Sequence, residues 1–411
     1  MVRRSLATGF SILHKYPVNS VCMSSDGVFL ATASEDGKVY LFRIGRKLSD
    51  LAIEREIVHK KMVSAISFSP DSQLLASGGA DGVLRVFRIK DLLNVKVGRL
   101  EASEVAREQL DVGEWVNGCA FDPTGARIGF TTTRQFRVVS VPGLVVEGQY
   151  GEKGLSGRAA KGFNSKLSFA LGTDASVEAE WYTGRDIVVK GEKRRVVKYD
   201  TNRTVQLDRP LSEVVRVGDE YGFTAPPPYF QGFSYSFGKE LYNQETRSVE
   251  SKLWAIIGCQ HPTARIYEAK FVEDLKLIAN LKHSEGVKTG SFAPTDTHIA
   301  TCCSDQKVRL WSMSTPTPAV PVPQWTVEKE VEFPFICYCS AWTPDGQWLM
   351  TGCEDGYLRF HCWDRELLAE EGGEDGLSAS RQCQRFMPGT HPKTVGKGGG
   401  EFSYIPTTPL H

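Results

Sequence analysis

Three sets of residues carry the ingredients of nucleophilic chemistry at a fixed spacing: His14, Thr32 and Asp36; His59, Ser77 and Asp81; His283, Thr301 and Asp305. An imidazole, a hydroxyl and a carboxylate can activate a nucleophile when they converge beside oxyanion donors. Here each set occupies its own segment. A constellation that repeats along a chain reads as framework, with each histidine tied to its aspartate. The other signatures of catalysis are missing. No G-x-S-x-G elbow or H-E-x-x-H pair occurs. Gly238-Lys239 and Gly396-Lys397 lack the upstream glycine and the following Ser or Thr of a phosphate loop. Ten cysteines include no C-x-x-C pair, the spacing that zinc and dithiol redox sites use. Most of the cysteines lie in apolar runs, where they act as small hydrophobes, so free thiols in a reducing compartment are expected. No catalytic residue, cofactor or metal ligand is assigned.

The elements that hold these residues repeat. His14 to Phe42, His59 to Phe87 and His283 to Trp311 align without gaps, each histidine 28 residues before the closing aromatic and each aspartate six before it. A fourth copy, FPFICYCSAWTPDGQWLMTGCEDGYLRFH, keeps Thr351 and Asp355, with Phe333 and His361 at the histidine and tryptophan positions. Within each copy, short apolar runs alternate with Pro/Asp and Asp-Gly turn signals, the pattern of antiparallel strands. The first two copies are offset by 45 residues, the period of four-stranded propeller blades.

These residues resemble the WD40 family, whose pattern is a His in the loop entering a blade, Ser or Thr on the second strand, Asp in the next turn and Trp on the third strand. His283, Thr301, Asp305 and Trp311 form a complete set; Phe42 and Phe87 replace the Trp in the first two copies. The resemblance implies an all-β, seven-bladed WD40-type propeller over residues 1–371. Regular blades are expected at about 14–58, 59–111, 283–330 and 333–371. Three degenerate ones are expected within 112–282, from the segments 115–141, 185–200 and 252–269, the last with His261 for Asp and Tyr267 for Trp. Phe10 to Leu13 would supply the outer strand of the last blade and close the ring. Residues 372–411, with GKGGGE and a basic stretch, read as a flexible tail.

Loops carry most propeller functions. A lead-in at 100–114 has the look of a short helix. GFTAPPPYFQGFSYSFG, 222–238, places Tyr229, Phe230, Phe233 and Tyr235 after three prolines; they are candidate partner contacts, or else part of a blade's first strand. The Pro-rich 314–325 reads as an extended connector, with a docking strip as the alternative. Lys190, Lys193, Arg194, Arg195 and Lys198 form the densest basic cluster, with strand alternation splitting Arg194 and Lys198 from Lys193 and Arg195.

Lys plus Arg and Asp plus Glu are both 49, so net charge argues against wholesale nucleic-acid or membrane-surface binding. Apolar runs are too short for a membrane helix. Arg3, Arg4 and Lys15 precede any acid; that weakly matches a mitochondrial presequence, a minor alternative to a first β-strand. The expectation is a non-catalytic scaffold or adaptor in a multi-protein complex, intracellular in the cytoplasm or nucleus, with no small-molecule substrate. The alternative is an RNA-associated propeller subunit, resting on the basic cluster and tail.

Overall fold

A computed structural model describes residues 7–362, apart from 97–98, 134, 151–155, 163, 174, 176–181, 184, 224–229, 244–247, 260–261, 270–274, 295–296 and 315–323, together with 383–385. It is an all-β propeller. Blade one holds Val18–Met23, Phe29–Ser34, Lys38–Ile44 and Leu51–Val58; blade two Val63–Phe68, Leu74–Gly79, Val83–Arg88 and Glu108–Asp111. Blade three holds Val116–Phe121, Arg127–Thr132, Phe136–Ser140 and Val146–Tyr150. Blade four holds Phe230–Asn243, Ser248–Cys259, Thr263–Ala269 and Leu275–Lys282, and blade five Val287–Phe292, His298–Cys303, Lys307–Met313 and Trp325–Glu332. Blade six holds Cys337–Trp342, Trp348–Cys353, Tyr357–Cys362 and, from the other end of the chain, Ala7–Leu13.

The count corrects the expectation of seven blades. Among the described residues seven sheets are present, and the first strands of six of them meet around the axis: blade three's first strand packs directly on blade four's, and blade six's on blade one's. The remaining sheet lies between blades three and four in sequence. Its six strands are Ser156–Arg158, Ser168–Ala170, Asp186–Val189, Glu192–Tyr199, Thr204–Leu207 and Glu220–Phe223. Its edges meet where Ala160 N–H donates to Ala170 O at 2.9 Å, so it curls toward a small barrel. Phe169, Tyr182, Tyr199 and Tyr221 fill it, in one apolar cluster with Phe136 and Val138 of blade three and Ile257 and Tyr267 of blade four. The hairpin 185–200, expected as a blade, belongs to this insert. An antiparallel hairpin has the same alternation in any sheet, so alternation alone could not separate the two.

The inner strands explain why six blades close. In five of them the register slips at one rung, between Val18 and Ser20, Val63 and Ala65, Val116 and Gly118, Val287 and Thr289, and Cys337 and Cys339. A bulge with small residues beside it bends the strand and lets neighbouring backbones approach. A Cβ on Gly78 would meet Val116, and one on Gly290 would meet Ile256, each a residue of an adjacent blade. Interblade hydrogen bonds run along the same ring: Asn19 Nδ2 to Val63 O at 3.0 Å, Phe121 N to Ser67 Oγ at 3.2 Å, and Ser291 Oγ with Ser340 Oγ at 2.8 Å.

The expected closure by the N-terminus is present. Ala7–Leu13 pairs antiparallel with Tyr357–Cys362, Phe10 opposite Phe360 and Leu13 opposite Tyr357. Over residues 7–13 the N-terminus is therefore a strand. The expected helix near 100–114 is a single turn, Ala102–Val105. The chain before it runs back to blade one, where Arg99–Glu101 adds in parallel to Leu51–Val58. Arg55 fastens this excursion by donating to the carbonyls of Leu92, Leu93 and Val95 at 2.7–2.9 Å. The expected tail lies outside the described residues except Cys383–Arg385, which pairs in parallel with Ala7–Leu13.

Candidate functional site

The repeated histidines, hydroxyls and aspartates form separate networks, one to a blade. In blade five, His283 Nε2 lies 2.8 Å from Thr301 Oγ1, its Nδ1 2.8 Å from Leu281 O, and Trp311 Nε1 donates to Thr301 Oγ1 at 2.9 Å. In blade two His59 Nε2 reaches Ser77 Oγ at 2.8 Å, while Phe87 supplies only a ring edge. In blade six His361, at the tryptophan position, bonds Thr351 Oγ1 at 2.9 Å, and Phe333 at the histidine position packs edge-on against it. Blade one has neither solution: among the described residues, His14 Nε2 and Thr32 Oγ1 have no hydrogen-bond partner. Phe42 and Tyr40 pack on that imidazole instead.

The aspartates do a different job from the one expected. They are not bonded to the histidines. Each builds the turn it sits in, accepting the backbone N–H two residues on: Lys38, Val83, Lys307 and Tyr357, at 3.0–3.2 Å. Each then takes the side chain four residues on. Arg85 donates to Asp81 and Arg309 to Asp305, both at 2.7 Å, Arg359 donates to Asp355 at 3.0 Å, and in blade one Tyr40 takes Asp36 at 2.7 Å. These arginines were missed by sequence reasoning, although an Asp-x-x-x-Arg spacing recurs in three copies. The turn also needs a left-handed residue. Gly37, Gly82 and Gly356 supply it, and Gln306 in blade five adopts it at φ 65°. At Gly356 a side chain is excluded twice over, since a Cβ would lie 2.6 Å from His14 O.

These sets lie in separate blades; the hydroxyls of Ser77, Thr301 and Thr351 are bonded within their own blades, and that of Thr32 is buried beside its own. Replacing Thr301 by valine removes the acceptor of Trp311 and the partner of His283 at once. Unpaired buried polar groups cost roughly 1–3 kcal/mol each, so a loss of about 3 kcal/mol is expected in urea unfolding. Thr351→Val, which strands one ring nitrogen, should cost about half as much.

The inner strands line a central channel of about 1110 Å³. Ser20, Ser64, Asn117, Thr289 and Ser340 face it, with Lys288 and Tyr338 among the larger side chains. Around one mouth lie the loops that lead into the inner strands. Three carry an exposed aromatic: Tyr16 before blade one, Trp115 before blade three and Phe335 before blade six, at 42%, 51% and 43% exposure. Trp115 also lines the channel. Sequence reasoning missed this trio, although each falls within two residues of the first strand of a blade.

The predicted contact aromatics do not form a loop. Phe230, Phe233 and Tyr235 lie on the first strand of blade four, opposite Cys259, Ile257 and Ala255; Tyr229 lies outside the described residues, as does most of the Pro-rich connector and His261. The connector's ends are joined by Ser314 N–H to Gln324 O at 2.8 Å. Tyr267 is buried on the third strand of blade four at the rung where the register slips, the same rung as Phe42 and Trp311, so its alignment with the tryptophan position holds. The basic hairpin is largely neutralised. Lys190 pairs with Glu213 and Asp219, Lys193 with Asp186 at 2.9 Å, Arg195 with Asp186 at 3.6 Å, and Arg194 with Glu192. Lys193 and Arg195 share one face, as alternation requires; a register slip between Val196 and Lys198 interrupts it beyond. Among the described residues no three His, Cys, Asp or Glu side chains gather as a metal site, and no helix is long and apolar enough to cross a membrane.

A ring of four-stranded blades, closed by the N-terminal strand, defines the class: the chain is a β-propeller, and four of its blades carry WD40 repeats. The WD domain, G-beta repeat family matches residues 10–43, 54–88, 275–312 and 332–362, which are blades one, two and five and the closing blade. Among solved structures it is similar to the WD40 β-propeller domain of Doa1, at 11% identity and a TM-score of 0.49, over 88% of this chain and 98% of that one. No curated protein matches it.

Proposed function

We propose that this protein is a non-catalytic interaction scaffold, a subunit or adaptor of a multi-protein complex inside the cell, and that it takes a protein partner on the face bearing Tyr16, Trp115 and Phe335. The supporting observation is that three exposed aromatics lie in loops entering first strands, around one channel mouth. Rigid aromatics beside polar surface are typical anchors of protein interfaces. WD40 propellers typically serve as such scaffolds. The hydroxyls of Ser77, Thr301 and Thr351 are committed to their own blades' networks and Thr32 is fully buried, which supports the non-catalytic part of the reading.

Affinity capture at mild salt, with wild type beside Trp115→Ala, tests it. Trp115 is half exposed, so the variant should melt as wild type does. It should lose at least about tenfold in partner recovery, the scale of an interface anchor. Equal recovery of the same partners by both proteins would move the contact elsewhere, and no stoichiometric partner at all would sink the scaffold reading. An RNA role has less support, because the acids beside Lys190, Lys193, Arg194 and Arg195 already satisfy them.

A further inference from the structure

Blade six differs from the others at one rung. The last rung joining a blade's first and second strands pairs Val18 with Ser34, Val63 with Gly79, Val116 with Thr132 and Val287 with Cys303. In blade six the same rung pairs Cys337 with Cys353. Residues directly opposite on antiparallel strands have Cα atoms about 4.5–5.5 Å apart, inside the range a disulfide spans. The two Sγ atoms lie 2.7 Å apart, within reach of a bond by side-chain rotation alone. Both thiols are free and buried. They sit just under the surface, however. One residue further, the ladder ends where Glu354 N–H donates to Ile336 O, and Glu354 and Phe335 are exposed.

We propose that Cys337 and Cys353 form a dithiol that closes to an intramolecular disulfide on two-electron oxidation by a peroxide, locking the inner strands of the blade that closes the ring. The atoms balance simply. Cys337, next to the exposed loop, attacks one peroxide oxygen as the thiolate, releases water and becomes a sulfenic acid. Cys353 then attacks that sulfur and expels the second oxygen as water. Two thiols and one peroxide give one disulfide and two waters. The hydrogen bond to Cys353, and then burial, hold the Cys337 thiol well above its ordinary range. Little thiolate is present at neutral pH, so the pair closes slowly; it behaves as a latch rather than a fast sensor. Cys302 of blade five belongs to the same apolar cluster and is the competing partner.

The test uses the full chain, purified reduced and exposed to hydrogen peroxide, then denatured, alkylated and digested for mass spectrometry. A second sample is oxidised in urea just below the unfolding transition, to promote local opening around the buried pair. The expected product is a cross-linked pair of peptides containing Cys337 and Cys353, two hydrogens lighter than the free peptides and separated again by dithiothreitol. Cys353→Ala should abolish it while Cys302 remains alkylated. The oxidised protein should melt several degrees higher than the reduced one. Full alkylation of Cys337 and Cys353 in both oxidised samples would overturn the proposal, as would a cross-link to Cys302 in place of this pair.

Discussion

Lowering the pH from 7 to 4.5 is expected to remove much of the protein's stability, before most carboxylates are protonated. Burial, first of all, pushes His14 and His59 down to about 4 and His361 to about 3. Nearby charges adjust this: Asp36 opposes the shift at His14, Arg85 adds to it at His59, and Arg359 adds to it at His361. The unfolded chain takes up these protons near pH 6.5, whereas the folded chain resists until about pH 4. Stability is therefore complete above pH 6.5 and falls as the pH drops toward 4. Each histidine is worth on the order of 2–3 kcal/mol over that interval. Three of them together rival the 5–15 kcal/mol that holds a typical domain folded. Urea midpoints at pH 7, 6, 5 and 4.5 should fall steadily, and a midpoint unchanged to pH 5 would refute the account. His14→Leu isolates the effect. Its Nε2 has no hydrogen-bond partner to lose, so the variant should fold at pH 7 and show a shallower pH slope by about one proton.

The same histidines show what the sequence could and could not reveal. Their spacing to Thr301 and Ser77 marked the blades, because a hydrogen bond across two strands fixes its partners to a rung. The partner of each aspartate was harder to see. The His–Thr–Asp order suggested that each histidine is tied to its aspartate, but the carboxylate's geometry serves its own turn and the arginine four residues on. The blade count failed for a related reason. Strand alternation in Asp186–Tyr199 is that of any hairpin, and nothing in it reports distance from the axis. A sharper signal was available. The first strands VNSVCM, VSAISF, VNGCAF and VKTGSF share a leading valine, a small residue two places on and a final apolar residue. That pattern is the footprint of the inner-strand bulge, and the insert's strands lack it. The face aromatics were invisible for the opposite reason: Tyr16, Trp115 and Phe335 matter through lack of packing, which a sequence does not state.

Ile12→Asp is expected to be the most damaging single change in the closing strand, costing about 4 kcal/mol or more. Ile12 is 1% exposed and pairs with Leu358. It packs in one cluster with Met350 and Phe360 of blade six and with Val21, Tyr40 and Phe42 of blade one. A carboxylate there is either desolvated without a partner or forces the strand off its edge, and both are expensive. The consequence should exceed a local loss. Once Ala7–Leu13 detaches, Tyr357–Cys362 becomes an open edge, which invites pairing with another chain. The variant should therefore unfold earlier in urea and also self-associate in size-exclusion chromatography. Ser11→Asp provides the control, since Ser11 is only half-buried and lies opposite Arg359. It should leave the protein monodisperse and change stability by less than about 1 kcal/mol. If Ile12→Asp melts with wild type, the ring must be held by blade-to-blade packing alone, and the strand would be an accessory. The shared cluster argues otherwise: it couples the first blade to the last through residue 12, so the ring cannot be complete until its first residues meet its last ones.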